Sequence, residues 1–340
     1  MHMADALLSP AVGAGMWALS GTALAYSARR VRAHAEDHTA PLMGVLGAFV
    51  FAAQMINFSI PATGSSGHLG GGLLLAVLLG PQAALIVIAS VLTVQALFFA
   101  DGGLLALGAN IFNLGVLPCF IAFPIYRVVA GAGASPARIG WASLAAAVVG
   151  VLLGSFGVVV QTIASGITNL SFGSFVVLMM PIHLAISVVE GLATAALLIF
   201  IFRTRPDLLV RAGSAPRQNA PFRPLVASVA AAALLTAGVV SWFASTQPDG
   251  LEWSIERATG TGGRLAPESG VHGWLAQVQH GTSFLPDYDF AAKADSAAGP
   301  AEPAWPNVSA GTSVSGLAGG GITLALVWLV ALVIRRTRRR

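Results

Sequence analysis

Long apolar runs, separated mostly by short polar segments, dominate the pattern of this chain. A helix that crosses the hydrocarbon core of a bilayer needs about 20 predominantly apolar residues. Seven runs have roughly that length, and glycine, proline and arginine cluster between them. The pattern therefore predicts transmembrane helices at residues 7–28, 41–59, 104–126, 139–165, 176–202, 222–245 and 317–334.

A further apolar stretch, residues 69–100, is too long for one simple span and is interrupted by Gly80 and Pro81. Proline breaks the hydrogen-bond ladder of a helix and restricts the residue before it. We therefore expect a short helix at 69–79 and a second helix at 82–99. With these two, the sequence predicts an all-α integral membrane protein of about nine transmembrane helices.

The distribution of positive charge favours the same number of helices. Cytoplasmic loops of membrane proteins carry an excess of lysine and arginine. If the N-terminus lies outside and nine helices alternate, only Arg257, Arg264 and Lys293 fall on the outer side. Merging 69–100 into one span would move every later basic cluster outside. We therefore expect a multi-pass protein of the inner (plasma) membrane, with its N-terminus on the outer side and its C-terminus in the cytoplasm.

The nine predicted helices divide into two units. Residues 1–205 would form a seven-helix unit, residues 206–221 a cytoplasmic linker, and residues 222–340 a two-helix accessory unit. Between the last two helices, the segment 246–316 is rich in Gly, Pro, Ser and Ala and carries eight acidic residues. This composition predicts a loosely structured, acidic external segment.

Composition excludes several function classes. The chain is 56% hydrophobic and 9% charged, against about 25% charged residues in soluble domains. Its net charge of +4 is explained by membrane topology, so a lipid bilayer, and no nucleic acid, is the expected partner. Cys119 lies in an apolar run, which excludes a disulfide framework. There is no phosphate-binding Gly-Lys-Ser/Thr motif, no HExxH and no GxSxG, so we do not expect an enzyme or an ATPase.

The first two residues form a potential metal chelator. The terminal amine of Met1, the amide nitrogen of His2 and the His2 ring nitrogen can bind one ion through fused chelate rings. These rings hold the three donors nearly coplanar and leave a fourth position open. Planar nitrogen sites suit Ni(II) or Cu(II), and the ligands must lose protons, so the site should weaken in acid. The alternative is that a histidine at position 2 is accidental.

A Gly- and Ser-rich loop offers the fourth donor. Residues 64–67 are small, include Ser66, and predict a compact loop that permits close backbone approach. His68 ends this loop on the outer side, the same side as the N-terminus. His68 is therefore available to complete the plane with Met1 and His2. The alternative is a histidine satisfied by backbone carbonyls of the loop.

Two further polar pairs lie in predicted membrane segments, where such groups usually face protein or a cavity. Asn110 and Asn113 share one helix face and are candidates for orienting the metal-binding loop. Packing between helices is the alternative. His183 and Glu190 lie two turns apart on one face of a predicted helix. They are candidates for a second metal contact, a proton path or an anchor for a partner helix, and a structural pair between helices is the alternative.

Four motifs together resemble the CbiM/NikM substrate-capture subunit (S component) of energy-coupling-factor importers for cobalt and nickel. The resemblance covers roughly residues 1–205, and residues 247–260 resemble the PDGLE motif of the accessory subunit NikN. The chain thus resembles a fused capture-plus-accessory protein. The four motifs are MHMADALLSP, ATGSSGHLGGG, QALFFADGGLLALGANIFNLGV and PIHLAISVVEGLATA.

This resemblance implies a site and partners. The metal would be held by the Met1 amine, by the amide and ring nitrogens of His2, and by His68. The transported substrate would be Ni(2+) or Co(2+), and the NikN-like segment favours nickel slightly. A separate transmembrane coupling subunit (T component) and cytoplasmic ATP-binding subunits are implied as partners. We expect small-residue faces, including residues 145–147, Gly150 and the Gly191 region, to contact the coupling subunit.

Three other functions compete with metal import. A capture subunit for another small molecule, such as a vitamin, would need a roomy aromatic pocket and would tolerate residues before Met1. A membrane-embedded enzyme would have to use His183 and Glu190 as its dyad. For a scaffold protein, loss of the metal ligands would have no consequence.

Overall fold

A computed structural model describes residues 1–34, 39–131, 135–204, 223–260, 269–290 and 305–336. The predicted cytoplasmic linker, residues 206–221, lies outside the described residues. The described part is helical apart from one antiparallel hairpin, in which β1 (Phe58–Ile60) pairs with β2 (Ser65–Gly67). The predicted all-α class is therefore confirmed. The helices are α1 (Pro10–His34), α2 (Thr39–Gln54), α3 (Gly72–Leu79), α4 (Pro81–Phe98), α5 (Leu107–Ala130), α6 (Pro136–Ser165), α7 (Phe172–Thr204), α8 (Arg223–Gly238), α9 (Gly250–Thr259), α10 (Gly270–Thr282) and α11 (Ala310–Arg336).

Five described helices are long and apolar enough to cross a membrane, and they are α4, α5, α6, α7 and α11. Two shorter apolar helices, α2 and α8, accompany them. The predicted break between α3 and α4 is confirmed, since Gly80 adopts a φ of 80° between the two helices and Pro81 begins α4. The count of nine transmembrane helices stays a prediction.

Helix α4 lies in the core of the protein. Its residues Leu85, Val87 and Ile88 are fully buried, although the helix has the composition of a membrane span. It packs against α1, α2, α3, α5 and α11. Because α8 and α11 both pack against α2, the accessory helices join the same helical body as the capture helices.

Small residues permit these close helix contacts. Gly316 of α11 lies against Ala237 of α8, and Gly319 lies against the ring of Phe51 in α2, where an added Cβ would collide. The face of α6 that we expected to meet a coupling subunit is used in the same way. Ala146 and Ala147 are buried, and Gly191 of α7 packs against Leu144 and Ala147. That expectation is therefore wrong for these residues, because their small size serves packing between α6 and α7.

The external segment also differs from its prediction. Two helices, α9 and α10, form within the range expected to be loosely structured, and α11 begins at Ala310. The physical reason for α9 is local, because Asp249 caps its first turn and Glu252 closes a reciprocal capping box. Composition alone misses this because the capping signal lies in two positions of an otherwise Gly- and Ala-rich stretch.

Candidate metal centre

The first three residues fold inward and are held by a side chain from α5. Asn110 accepts a hydrogen bond from the Met3 main-chain N–H at 2.8 Å and donates one to the Met3 carbonyl at 3.1 Å. The Gly103 N–H donates to the same carbonyl at 2.9 Å. Met3 itself is fully buried. The N-terminus is therefore held as a short extended segment inside the protein.

This anchoring brings the terminal amine to His68. The Met1 amine nitrogen lies 2.8 Å from Nε2 of His68 and 2.7 Å from Oδ2 of Asp249. The His2 ring stacks on the His68 ring, with 4.9 Å between the ring centroids and 30° between the planes. The Met1 amine and Nε2 of His68, which are 67 residues apart in sequence, are thus in hydrogen-bond contact, and the His2 ring packs against His68.

The hydrogen bonds of His68 define its tautomer. Its Nδ1 lies 3.1 Å from the Leu69 carbonyl, which can only accept, so Nδ1 carries the proton. The lone pair of Nε2 then faces the Met1 amine. Burial is the largest cause that lowers the pKa of His68, to about 3, and the charges of the amine and of His2 lower it further. His68 is therefore neutral at physiological pH, as a metal ligand must be.

Two carboxylates border the donors. Asp101 accepts from Nδ1 of His2 at 2.7 Å and from the Tyr288 hydroxyl at 2.5 Å. Burial alone would raise the pKa of Asp101, but the charge and hydrogen bond of His2 and the Tyr288 hydrogen bond outweigh it and hold the pKa well below its usual range. The pKa of Asp249 is likewise held low, against its burial, by the terminal ammonium. Both groups remain anionic at neutral pH, which favours a cation here.

The Gly-rich loop is supported from α7. Glu190 accepts hydrogen bonds from the N–H groups of Gly70 at 2.6 Å and Gly71 at 3.0 Å. Gly71 adopts a φ of 74°, a conformation that L side chains rarely take. Glu190 is thereby engaged with the loop that presents His68.

Removing the Glu190 carboxylate tests this support. We expect Glu190→Ala to leave the buried Gly71 N–H without an acceptor, at a cost of about 1–3 kcal/mol, to expose the half-buried Gly70 N–H to a smaller loss, and to weaken nickel binding by roughly 10–100-fold. Thermal unfolding in detergent and nickel titration measure the two effects. Glu256→Ala, on the exposed side of α9, is the matched control. Equal stability and affinity in Glu190→Ala and the wild type would contradict this role.

The other predicted support residues have different environments. Ser66 bonds to the accessory segment, with its N–H donating to the Pro248 carbonyl and its hydroxyl to the Gln247 carbonyl, both at 2.8 Å. Asn113 exchanges two amide hydrogen bonds with Gln161 of α6, at 2.8 and 3.0 Å. These contacts place Ser66 at the junction with the accessory unit. Asn113 also lies against the N-terminal segment, because its Nδ2 is 3.9 Å from Sδ of Met3.

His183 and Glu190 do not form a pair. His183 uses Nδ1 on the Met179 carbonyl at 2.8 Å, while Glu190 is engaged with the Gly-rich loop. Nε2 of His183 is buried without a partner among the described residues. It lines a small cavity of about 30 Å³ together with Met1 and His68. His183 therefore lies beside the donor nitrogens, and the dyad that a membrane-embedded enzyme would require is not assembled.

Sequence reasoning missed the residues that border the donors. Asp249 and Tyr288 come from the accessory unit, and Asp101 comes from the turn between α4 and α5. The signal for Asp249 was the capping pattern of the PDGLE motif, but only docking of the two units brings it to Met1. Within the described residues, no three His, Cys, Asp or Glu side chains form a metal cluster, so an ion bound at this point would also need main-chain nitrogens as ligands.

Comparison with known proteins identifies relatives of both parts of the chain. The family described as cobalt uptake substrate-specific transmembrane region, CbiM, matches residues 2–208, and the PDGLE domain matches residues 223–336. The fused nickel transport protein NikMN of Rhodobacter capsulatus is 31% identical over 85% of this chain and 88% of its own length. The cobalt transport protein CbiM of Sorangium cellulosum is 30% identical over 62% of this chain and 95% of its own length.

A solved structure supports the same relationship. The crystal structure of a truncated transition metal transporter superposes with a TM-score of 0.54 and 28% identity, and it covers 60% of this chain and 99% of its own. The match of the two families, in order and over nearly the full length, agrees with the resemblance seen in the sequence motifs. The chain belongs to the CbiM family of cobalt-uptake substrate-specific transmembrane proteins, joined here to a PDGLE domain.

Proposed function

We propose that this chain is the substrate-capture subunit of an ATP-driven energy-coupling-factor importer for nickel or cobalt. The observation that carries the proposal is the convergence of the Met1 amine, the His2 ring and Nε2 of His68 within one buried site. The terminal amine lies against a histidine that is 67 residues away in sequence, and binding of one metal ion by both groups explains this contact. The CbiM-family relatives named for nickel and cobalt transport support the same assignment.

The ion is bound as a substrate by four nitrogen donors. The Met1 amine and the His2 amide close one chelate ring, and the His2 amide and its ring nitrogen close a second. His68 supplies the fourth nitrogen through Nε2, whose lone pair already faces the amine. Closing the second ring through Nδ1 of His2 requires this nitrogen to leave Asp101, to which it is now hydrogen-bonded. Metal loading therefore exchanges hydrogen bonds and protons for metal–nitrogen bonds.

The accessory unit contributes to holding the N-terminus. Asp249 forms an ion pair with the Met1 amine, and Trp253 of α9 donates to the Thr63 carbonyl at 3.0 Å. Gln279 of α10 donates to the Gly102 carbonyl at 2.7 Å. Two helices of the accessory unit thus contact segments that border the candidate site. We infer that the PDGLE part keeps the N-terminal segment in its inward position.

Coordination chemistry favours nickel over cobalt. A planar set of four nitrogens suits Ni(II), as it also suits Cu(II), better than it suits Co(II). The cavity beside the donors is about 30 Å³, far below the roughly 300–1,000 Å³ of small-molecule pockets. A larger cleft also borders His2 and His68, but five carboxylates line it, whereas small-molecule pockets are lined mostly by apolar and aromatic side chains. A single metal ion therefore fits this site better than a vitamin does.

The energy for import must come from other chains. We propose a transmembrane coupling subunit and cytoplasmic ATP-binding subunits as partners, because the sequence has no phosphate-binding motif of its own. In this arrangement the N-terminus opens toward the outer side of the plasma membrane and the C-terminus lies in the cytoplasm. The basic residues after each inward-leading helix support this orientation.

Uptake of radioactive nickel by cells tests the proposal. We expect uptake only when this chain is expressed together with its coupling subunit and ATP-binding subunits. An ATP-binding subunit whose phosphate-binding lysine is replaced by alanine should abolish uptake, because transport is ATP-driven. A vitamin added in excess should not compete. Uptake that persists with the inactive ATP-binding subunit, or that a vitamin blocks, would contradict the proposal.

A further inference from the structure

A second, larger cleft opens next to the donor nitrogens. Its volume is about 380 Å³, and it lies between the capture unit and the accessory unit. His2 and His68 form part of its wall, so the cleft leads to the candidate metal centre. Neither the chelate nor its supporting hydrogen bonds require a space of this size.

The wall of this cleft is strongly acidic. Five carboxylates line it, and neither lysine nor arginine is among the described residues of the wall. Three come from the accessory unit, so the cleft exists only because the two units dock. The carboxylates are Asp5, Asp101, Asp249, Glu252 and Asp287.

Part of this acidic charge has no counter-ion within the described part of the chain. Asp249 is paired with the Met1 amine, and Asp101 is bonded to His2. For Asp5, Glu252 and Asp287, partial burial raises the pKa, although part of the Glu252 and Asp287 side chains is exposed to solvent. The charge of Asp249 raises the pKa of Glu252 further, and the charge of Asp101 does the same for Asp287. A bound cation would relieve this repulsion between like charges.

Two buried polar atoms in the wall are also without partners. Gln54 is 4% exposed, and its Oε1 has no hydrogen bond among the described residues, although its Nε2 donates to the Gly70 carbonyl. The His2 side chain is 6% exposed, and its Nε2 is likewise unpartnered. A buried polar atom without a partner is costly and indicates an absent water, ion or ligand. These two unpartnered atoms indicate that a ligand binds in the cleft, which the carboxylate cluster alone would not be sufficient to show.

We infer that this cleft is a second, weaker cation site, which holds a hydrated divalent cation by hydrogen bonds from the ion's own waters to carboxylate and amide oxygens, since no three acidic or histidine side chains of the described residues lie close enough to bind an ion directly. The chemistry follows from the donor set, because carboxylate, carbonyl and water ligands suit hard divalent ions. The volume accommodates an ion that keeps several of its waters. Transfer of the ion from the cleft to the donor nitrogens depends on the proposed function. Binding of the ion in the cleft does not depend on it.

Manganese(II) is the appropriate probe, because it prefers oxygen ligands and binds weakly to nitrogen sites. Its binding to the full chain in detergent is measured by electron paramagnetic resonance, alongside the rate of nickel loading. The test variant is Glu252→Gln combined with Asp287→Asn. Glutamine preserves the capping box, and asparagine tolerates the positive φ of 52° at position 287. The control is Glu256→Gln combined with Asp289→Asn, which removes equal charge from exposed positions outside the cleft.

We expect one weakly bound manganese ion in the wild type and in the control. In the test variant we expect binding to weaken by at least about tenfold and nickel loading to slow by about tenfold, within the range of electrostatic steering. Equal manganese binding in the test variant and the control, or none in the wild type, would overturn the inference. His68→Ala separates the two hypotheses: it should retain manganese, and if it also retained nickel, the chelate would fail while the cleft site stood.

Discussion

Two glycines added before Met1 are expected to lower the affinity for nickel by at least about 100-fold. The extension turns the primary amine of Met1 into an amide and moves the free amine away by up to about 7 Å. The new amine then no longer lies against Nε2 of His68 and Oδ2 of Asp249, which the Met1 nitrogen contacts at 2.8 and 2.7 Å. The expected loss exceeds the 10–100-fold typical of residues that only support a metal ligand. Equilibrium titration of the purified protein with nickel measures it.

The control for the extension is its removal. A protease that leaves Met1 as the first residue should restore full affinity from the same preparation, which excludes misfolding as the cause. Membrane insertion and thermal stability should change little, since Asn110 continues to hold Met3. Normal nickel affinity in the extended protein would show that the terminal amine is not a ligand.

Replacing His68 by alanine is expected to have an effect of similar size. The variant lacks the fourth nitrogen, so the ion retains only the donors of Met1 and His2 and binds about 100-fold more weakly or not at all. The fold should persist, because within the described residues the only group besides the amine that bonds the His68 ring is the neighbouring Leu69 carbonyl. Metal analysis of the purified protein, after weakly bound ions have been washed away, should give one nickel ion per chain in the wild type and none in the variant.

The matched control is His280→Ala, which removes an imidazole from the exposed end of α10. It should bind nickel as the wild type does. If both histidine variants kept one nickel ion per chain, the donors would have to lie elsewhere. If both lost it, general damage to the external face would explain the result better than loss of a ligand.

The membrane architecture could be predicted because it depends on local patterns. Runs of apolar residues define the long helices, and the break before Pro81 follows from the missing N–H of proline. The positive-inside pattern placed the N-terminus and His68 on the same side, and this is consistent with their contact at 2.8 Å. Each of these predictions depends only on the residues of one segment and on those directly before and after it.

The surroundings of the site could not be predicted in the same way. Asp249 and Tyr288 reach Met1 and Asp101 only because α9 and the residues after α10 dock on the capture unit. No periodicity in the sequence encodes that docking. Composition led to the wrong expectation for the external segment, since its Gly- and Ala-rich average conceals the capping box of α9. The role of Glu190 also depends on a distant loop, whose two N–H groups it accepts.

X-ray absorption at the nickel edge reports directly on the proposed four-nitrogen chelate. For the protein with Met1 as its first residue, we predict a four-coordinate planar Ni(II) with nitrogen donors and scattering from two imidazole rings. In His68→Ala, any residual nickel should show one ring and a changed geometry. A six-coordinate, oxygen-rich spectrum that is unchanged in His68→Ala would show that the ion is held by other ligands.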